Sequence, residues 1–148
     1  MSGQPTLVIG VGNRDRGDDA AGPEVCDRVA SGSGGTIRTV VLESSAIDLA
    51  AHWDTDDRVV IVDAGRPVGE PGRVTEYDAL AERFAVPGGA STHSIDVAGG
   101  IELARAMDRL PAALTVVAIE GVSFDFRAPP APSVLRSIEE TAARLVAA

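Results

Sequence analysis

The stretch TLVIGVGNRDRGDDAAG, residues 6–22, decides the fold class of this chain. Its first part, Thr6 to Val11, is a short apolar run rich in β-branched residues, which predicts a buried strand. Gly12 and Asn13 then break the strand. Apolar residues recur every four positions in the segment that follows, which predicts a helix from Asp19 to Ala30. A strand that leads directly into a helix is the typical opening of an α/β sheet.

The same alternation continues along the 148-residue chain. Further strands are predicted at 36–42, 58–62, 73–77 and 114–119, and helices at 45–53, around 78–84, at 97–107 and, after a Pro-rich loop at 127–132, in a last segment that carries Val134 to Leu145. The helix at 45–53 would begin at a capping box of Ser45 and Asp48. We therefore expect one α/β domain over residues 1–148: three layers, with a mainly parallel five-stranded sheet and helices on both faces. The strand at 73–77 follows a short turn-rich segment, so it should run antiparallel at or near an edge.

Composition excludes several classes of function. The net charge is −9, all thirteen basic residues are Arg, and they form no basic cluster, which argues against nucleic-acid binding. No stretch approaches the roughly 20 apolar residues of a membrane span, and no export signal precedes the first strand. We therefore expect a cytoplasmic monomer without membrane contact. The lone cysteine, Cys26, falls within a helical pattern and is expected to be a small core residue rather than a nucleophile.

Acidic residues mark one edge of the predicted sheet. Ligands of open α/β sheets bind beyond the carboxyl ends of the strands. The sequence places there Asp18 and Asp19 after strand one, Asp63 after strand three, and His93 in the loop before a helix. Two carboxylates and one imidazole suit a divalent metal of borderline softness. One of the aspartates at 18–19, with Asp63 and His93, is therefore the candidate site, and the other aspartate could cap the first helix.

A nucleotide-binding α/β module is the alternative at this edge. Gly10-x-Gly12 after a first strand is typical of dinucleotide folds, and Glu43 stands where a ribose-binding acid could stand. The third glycine of that fingerprint would fall at Asp15, however, and the aspartates of this loop would repel a pyrophosphate. A serine hydrolase is not indicated, because the sequence contains no G-x-S-x-G motif.

The opening motif resembles that of a known family. Gly10-Val11-Gly12-Asn13, then Asp18-Asp19 and Gly22, is similar to the G-x-G-N-x-x-x-x-D-[DE]-x-x-G opening of the hydrogenase maturation proteases, the endopeptidases of nickel–iron hydrogenases. The resemblance continues, in the right order, through Val62-Asp63-Ala64, Ser91-Thr92-His93 and Ile119-Glu120-Gly121, and so covers nearly the whole chain.

This resemblance implies a function more specific than the residues alone do. Family members remove a C-terminal extension from the hydrogenase large-subunit precursor once nickel has been inserted. The family's metal-contacting positions correspond to Asp19, Asp63 and His93, which are therefore the expected catalytic and metal-contacting residues. The metal is understood to be the substrate's own nickel, so no tightly bound resident cofactor is expected. Asp18 is then left to cap the helix.

The sequence also departs from the family pattern. Residues 14–16 are Arg-Asp-Arg where many relatives carry apolar residues, and Asp19 is often Glu. The region after Gly121, VSFDFRAPPAPSV, lacks the glycine and leucine usual there. These differences concern the identity of the substrate. A docking protein that recognises a metallocentre without cutting remains a further alternative.

Overall fold

A computed structural model of the chain describes residues 3–82 and 95–148. Five strands form the sheet: β1 Leu7–Val11, β2 Arg38–Leu42, β3 Arg58–Gly65, β4 Val74–Asp78 and β5 Ala113–Glu120. Three α-helices accompany them: α1 Ala21–Gly32, α2 Ile95–Ala106 and α3 Pro132–Ala147. Short 3₁₀ turns lie at Gly17–Ala20 and Leu49–His52. Within these ranges, no helix is long and apolar enough to cross a membrane.

The strand order confirms the predicted fold class. The order is β2-β1-β3-β5-β4, and every pair is parallel except β4 with β5. The antiparallel strand is thus β4, at one edge of the sheet, as its turn-rich connection predicted. β3 extends to Gly65, three residues further than the sequence indicated, so Asp63 lies inside the strand beside Val11 of β1.

Helices cover both faces of the sheet. Successive strand residues point to opposite faces, so Leu7 and Ile9 pack with α2 while Val8 packs with α1 and α3. The central strands are therefore buried on both sides, which is why they read as continuous apolar runs. The apolar positions predicted for the last helix are buried as expected: Val134, Ile138, Ala142 and Leu145.

Two local predictions were wrong over fully described segments. The segment at 45–53 forms only the 3₁₀ turn Leu49–His52, and Asp48 makes no side-chain cap. The Ser45 hydroxyl instead accepts the nearby N–H of Ile47, a local bond that competes with helix formation. Met107 does not continue the buried face of α2, because the helix ends at Ala106 and Met107 is 56% exposed.

The predicted helix around 78–84 is not found in its described part, 78–82, where the chain ends a strand and turns. Its last two residues lie outside the described residues.

A buried carboxylate joins the amino ends of three strands, opposite the candidate site. Asp57 accepts hydrogen bonds from the Thr6 hydroxyl at 2.8 Å, the Arg38 guanidinium at 2.7 Å and the Asp54 N–H at 2.8 Å. The Asp54 N–H holds the pKa of Asp57 below its ordinary value, against the opposing effect of burial, and Arg38 and Thr6 lower this pKa further. The charged carboxylate is therefore favoured by folding.

Asp57→Asn should lower the melting temperature by several degrees at pH 7, as loss of a hydrogen-bonded charged group does. Because the pKa is lower in the folded chain, this stabilisation is present above the ordinary aspartate pKa of about 4 and is lost as pH falls through the folded value. Melting curves should show that the difference in melting temperature between this variant and wild type becomes smaller as the pH falls from 7 to 3. The control is Asp56→Asn, a substitution at an exposed neighbouring residue. A difference in melting temperature that does not change with pH would contradict a stabilising role for the charged Asp57 carboxylate.

Candidate functional site

Three glycines let the start of α1 touch the sheet. A Cβ at Gly22 would lie 2.5 Å from the carbonyl oxygen of Val62, and one at Gly10 would lie 2.4 Å from the carbonyl oxygen of Gly22. Gly12 has a φ of +142°, and a Cβ there would lie 2.0 Å from the carbonyl oxygen of Asp19. Only glycine permits these approaches. The G-x-G motif therefore serves helix–sheet packing, and this packing brings Asp19 to the carboxyl end of β1.

Asp19 and Asp63 line one cleft of about 450 Å³ at the carboxyl ends of β1 and β3. Asp63 is only 2% exposed, and one of its carboxylate oxygens accepts the N–H of Ala64 at 2.9 Å. Asp19 is half-buried and accepts the N–H of Asn13 at 2.9 Å. Two of the three residues singled out in the sequence are thus brought together at the expected edge.

The third residue, His93, lies outside the described residues, as do Ser91 and Thr92. Within residues 3–82 and 95–148, no group of three His, Cys, Asp or Glu side chains could hold a metal ion. The metal-contacting set of Asp19, Asp63 and His93 therefore stays a prediction.

Asp18 does not cap α1 as the sequence suggested. Its carboxylate is fully buried and accepts three backbone N–H groups, from Val122 at 2.6 Å, Ser123 at 3.0 Å and Ala131 at 2.7 Å. Its own N–H donates to the carbonyl of Ser123 at 2.8 Å. Asp18 thus fastens the loop 121–131 to the loop that carries Asp19, and its two oxygens are already occupied.

Glu120, at the end of β5, has a similar structural role. The side chain is 5% exposed and accepts the N–H groups of Val68 at 2.9 Å and Glu70 at 2.6 Å. Burial opposes its ionisation, but the N–H groups of Val68, Glu70 and Gly69 outweigh that effect and lower the pKa of Glu120. Glu120 therefore holds, in its charged form, the loop whose first residues border the cleft.

Sequence reasoning missed one acidic residue of the cleft. Asp96, in the first turn of α2, lines it together with Asp19 and Asp63. The available signal was its position three residues after His93, but an acidic residue in a first helical turn is common for reasons of helix electrostatics alone. Glu43, expected at this edge, also lines the cleft, 3.5 Å from the guanidinium of Arg14.

The chemistry of the cleft disfavours a nucleotide. Four carboxylates are among its described lining residues, Asp19, Glu43, Asp63 and Asp96, against a single arginine, Arg66. A pyrophosphate would be repelled there.

Cys26 takes no part in the site. It is buried in the core beneath β1, and burial raises the pKa of its thiol to about 12, so it is not a nucleophile at neutral pH.

No protein-family model matches the sequence, and no curated protein does. Solved structures do match, and the fold is that of the hydrogenase maturation proteases. The [NiFe] hydrogenase maturation protease HycI from Thermococcus kodakarensis is 25% identical with a TM-score of 0.71, and the match covers 99% of this chain and 93% of that one.

Two proteins from Escherichia coli match in the same way. The hydrogenase maturating endopeptidase HybD is 21% identical with a TM-score of 0.71, over 95% of this chain and 89% of its own. The endopeptidase HycI is 19% identical with a TM-score of 0.74, over 95% and 88%. The resemblance inferred from the sequence motifs is thus confirmed at the level of the fold.

Asp18→Ala should destabilise the chain by at least about 3 kcal/mol, because it leaves three N–H groups without their buried acceptor, each worth about 1–3 kcal/mol. This exceeds the roughly 1 kcal/mol expected for a lost helix cap. Denaturant titration measures the change. Asp15→Ala, exposed in the same loop, is the control and should stay within about 0.5 kcal/mol of wild type. Equal effects at the two positions would refute the fastening role of Asp18.

Proposed function

We propose that this protein is an endopeptidase that removes a C-terminal extension from the nickel-loaded large subunit of a [NiFe] hydrogenase, and that it recognises the nickel carried by that substrate. The observation that carries the proposal is the placement of Asp19 and Asp63 on one cleft, in the fold of the maturation proteases. A docking protein that does not cut would use the same cleft. A cleavage assay distinguishes this alternative from the proposed endopeptidase.

In this proposal, Asp19, Asp63 and His93 contact the nickel that arrives with the precursor. Three protein ligands leave other coordination positions open for groups of the substrate. Cleavage would then depend on nickel insertion, because the site is complete only when the loaded substrate binds.

The water that attacks the peptide bond needs a nearby general base. Asp18 is a poor choice, because both its oxygens accept backbone N–H groups and the side chain is fully buried. We infer that the base is a carboxylate that lines the cleft, and Asp19, Glu43, Asp63 and Asp96 are the described residues that do so.

Asp19→Ala, Asp63→Asn and His93→Ala should each reduce processing of a nickel-loaded precursor by at least about 100-fold, the effect of losing a metal contact or its orientation. Asp19→Glu should retain activity, since the carboxylate is kept. The measurement is mass spectrometry of the precursor over time, with exposed Glu139→Gln on α3 as the control variant. Melting temperatures should be recorded for every variant, so that loss of processing is not confused with unfolding.

Processing at the wild-type rate in folded Asp63→Asn or His93→Ala would refute the site assignment. Stable binding of the loaded precursor by wild-type protein, without any cleaved product, would favour the docking alternative.

The purified protein should not depend on a metal for its fold, because the nickel of the proposal belongs to the substrate. Addition of a chelator should shift the melting temperature by less than about 2 °C, a change worth below 1 kcal/mol for a chain of this size. Elemental analysis before and after chelation is the accompanying measurement. A structural zinc whose removal unfolds the chain would contradict this expectation.

A further inference from the structure

An exposed aromatic side chain near the cleft lies close to two arginines. Phe126 is 59% exposed, and the guanidinium carbons of Arg16 and Arg127 lie 5.8 Å and 5.2 Å from its ring centroid. These distances are within the range of cation–π interactions. We call Arg16, Phe126 and Arg127 the Phe126 patch.

Hydrogen bonds and close backbone packing hold the two loops of the patch in place. Asp18 binds the start and the end of the loop that carries Phe126, and the N–H of Arg127 donates to the carbonyl of Asp15 at 2.5 Å. Gly17 has a φ of +55°, and a Cβ there would lie 2.4 Å from the carbonyl oxygen of Ser123. The two loops are therefore fitted closely to each other, and little ordering would be needed on binding.

The same two loops lead directly into the cleft. Phe124, two residues before Phe126, lines the cleft, and so does Asp19, three residues after Arg16. A chain bound at the cleft would therefore meet the Phe126 patch within a few residues, since an extended chain spans about 3.3 Å per residue.

The charge of the patch is opposite to that of the protein. The chain has a net charge of −9, whereas the patch carries two guanidinium groups. None of the ion pairs formed in the described part of the chain involves Arg16 or Arg127, so both remain available to a partner's carboxylates. Apolar surface flanked by such donors fits a segment that combines a carboxylate with an apolar side chain.

We propose that the Phe126 patch binds a carboxylate-bearing stretch of the precursor's C-terminal extension and holds it beside the cleft. The proposal rests on the proposed function. The carboxylate can come from an acidic side chain or from the chain terminus, and the chemistry of recognition is the same. Arg16 and Arg127 supply the charge complementarity, while Phe126 supplies the apolar contact.

The test measures binding of the nickel-loaded precursor to the Asp63→Asn protein, so that cleavage does not consume the complex. Adding Arg16→Glu with Arg127→Glu should weaken binding at least about 10-fold and reduce its sensitivity to salt, because charge complementarity is removed. Phe126→Ala should weaken binding about 5-fold or more. Matched controls are Arg136→Glu, exposed on α3, and Met107→Ala, exposed beyond α2; both should stay within about 2-fold of the parent.

In the active protein, the charge reversal should raise KM while leaving kcat nearly unchanged, as expected for loss of uniform binding. A synthetic extension peptide then locates the carboxylate. Amidation of its C-terminus weakens binding if the terminus is recognised, and replacement of its acidic residues by amides does so if the side chains are.

Two binding results would overturn the proposal: patch variants that bind like the control variants, or a peptide whose binding neither change affects. A concentration-dependent dimer of wild-type protein that Phe126→Ala dissolves would also overturn it, because the patch would then bind a second copy. Absence of cleavage by wild-type protein would instead count against the proposed function, and the comparison of binding between patch and control variants would still decide the role of the patch.

Discussion

The contact between the first turn of α1 and the strands beneath it is the constraint on which the site depends. At Gly22 the helix backbone approaches β1 and β3 so closely that a Cβ would lie 2.5 Å from the carbonyl oxygen of Val62. Because this contact fixes where α1 begins, the loop from Gly12 to Asp19 must turn sharply above the ends of the strands. Asp18 and Asp19 then face different surroundings although they are adjacent: Asp18 is enclosed by the loop 121–131, while Asp19 faces the cleft.

The acidic edge of the sheet thus consists of two kinds of carboxylate. Asp18 and Glu120 use their carboxylate oxygens to accept hydrogen bonds from backbone N–H groups of loops. These N–H groups have no acceptor in the sheet. A buried carboxylate is costly unless its lone pairs are satisfied in this way, and a satisfied one stabilises the loops it joins. Asp19 and Asp63 each accept one described backbone N–H and also border the cleft. Asp18 and Glu120 therefore fix the loops around the cleft, and these loops hold Asp19 and Asp63 in position.

Sequence patterns predicted the strands, the three α-helices and the edge position of β4, because these follow from local periodicity and from connection length. The pattern also placed Asp19 and Asp63 correctly, since the carboxyl ends of parallel strands share one edge. It could not reveal the role of Asp18, whose partners are 104 to 113 residues away in the chain. The helix at 45–53 was wrong for the opposite reason: a local capping signal was present, but the hydroxyl of Ser45 bonds within its own turn. His93 stays a prediction from the sequence.

The departures at residues 14–16 and in the loop 121–131 are separate in the sequence but adjacent in the structure. Arg16 lies over the ring of Phe126, and Asp15 accepts the N–H of Arg127. Substitution in one segment therefore changes the surroundings of the other, so the two should vary together rather than independently. Both segments are fastened by Asp18, which is next to Asp19 in the chain. A single buried carboxylate thus sets the position of a residue of the cleft and of the surface beside it.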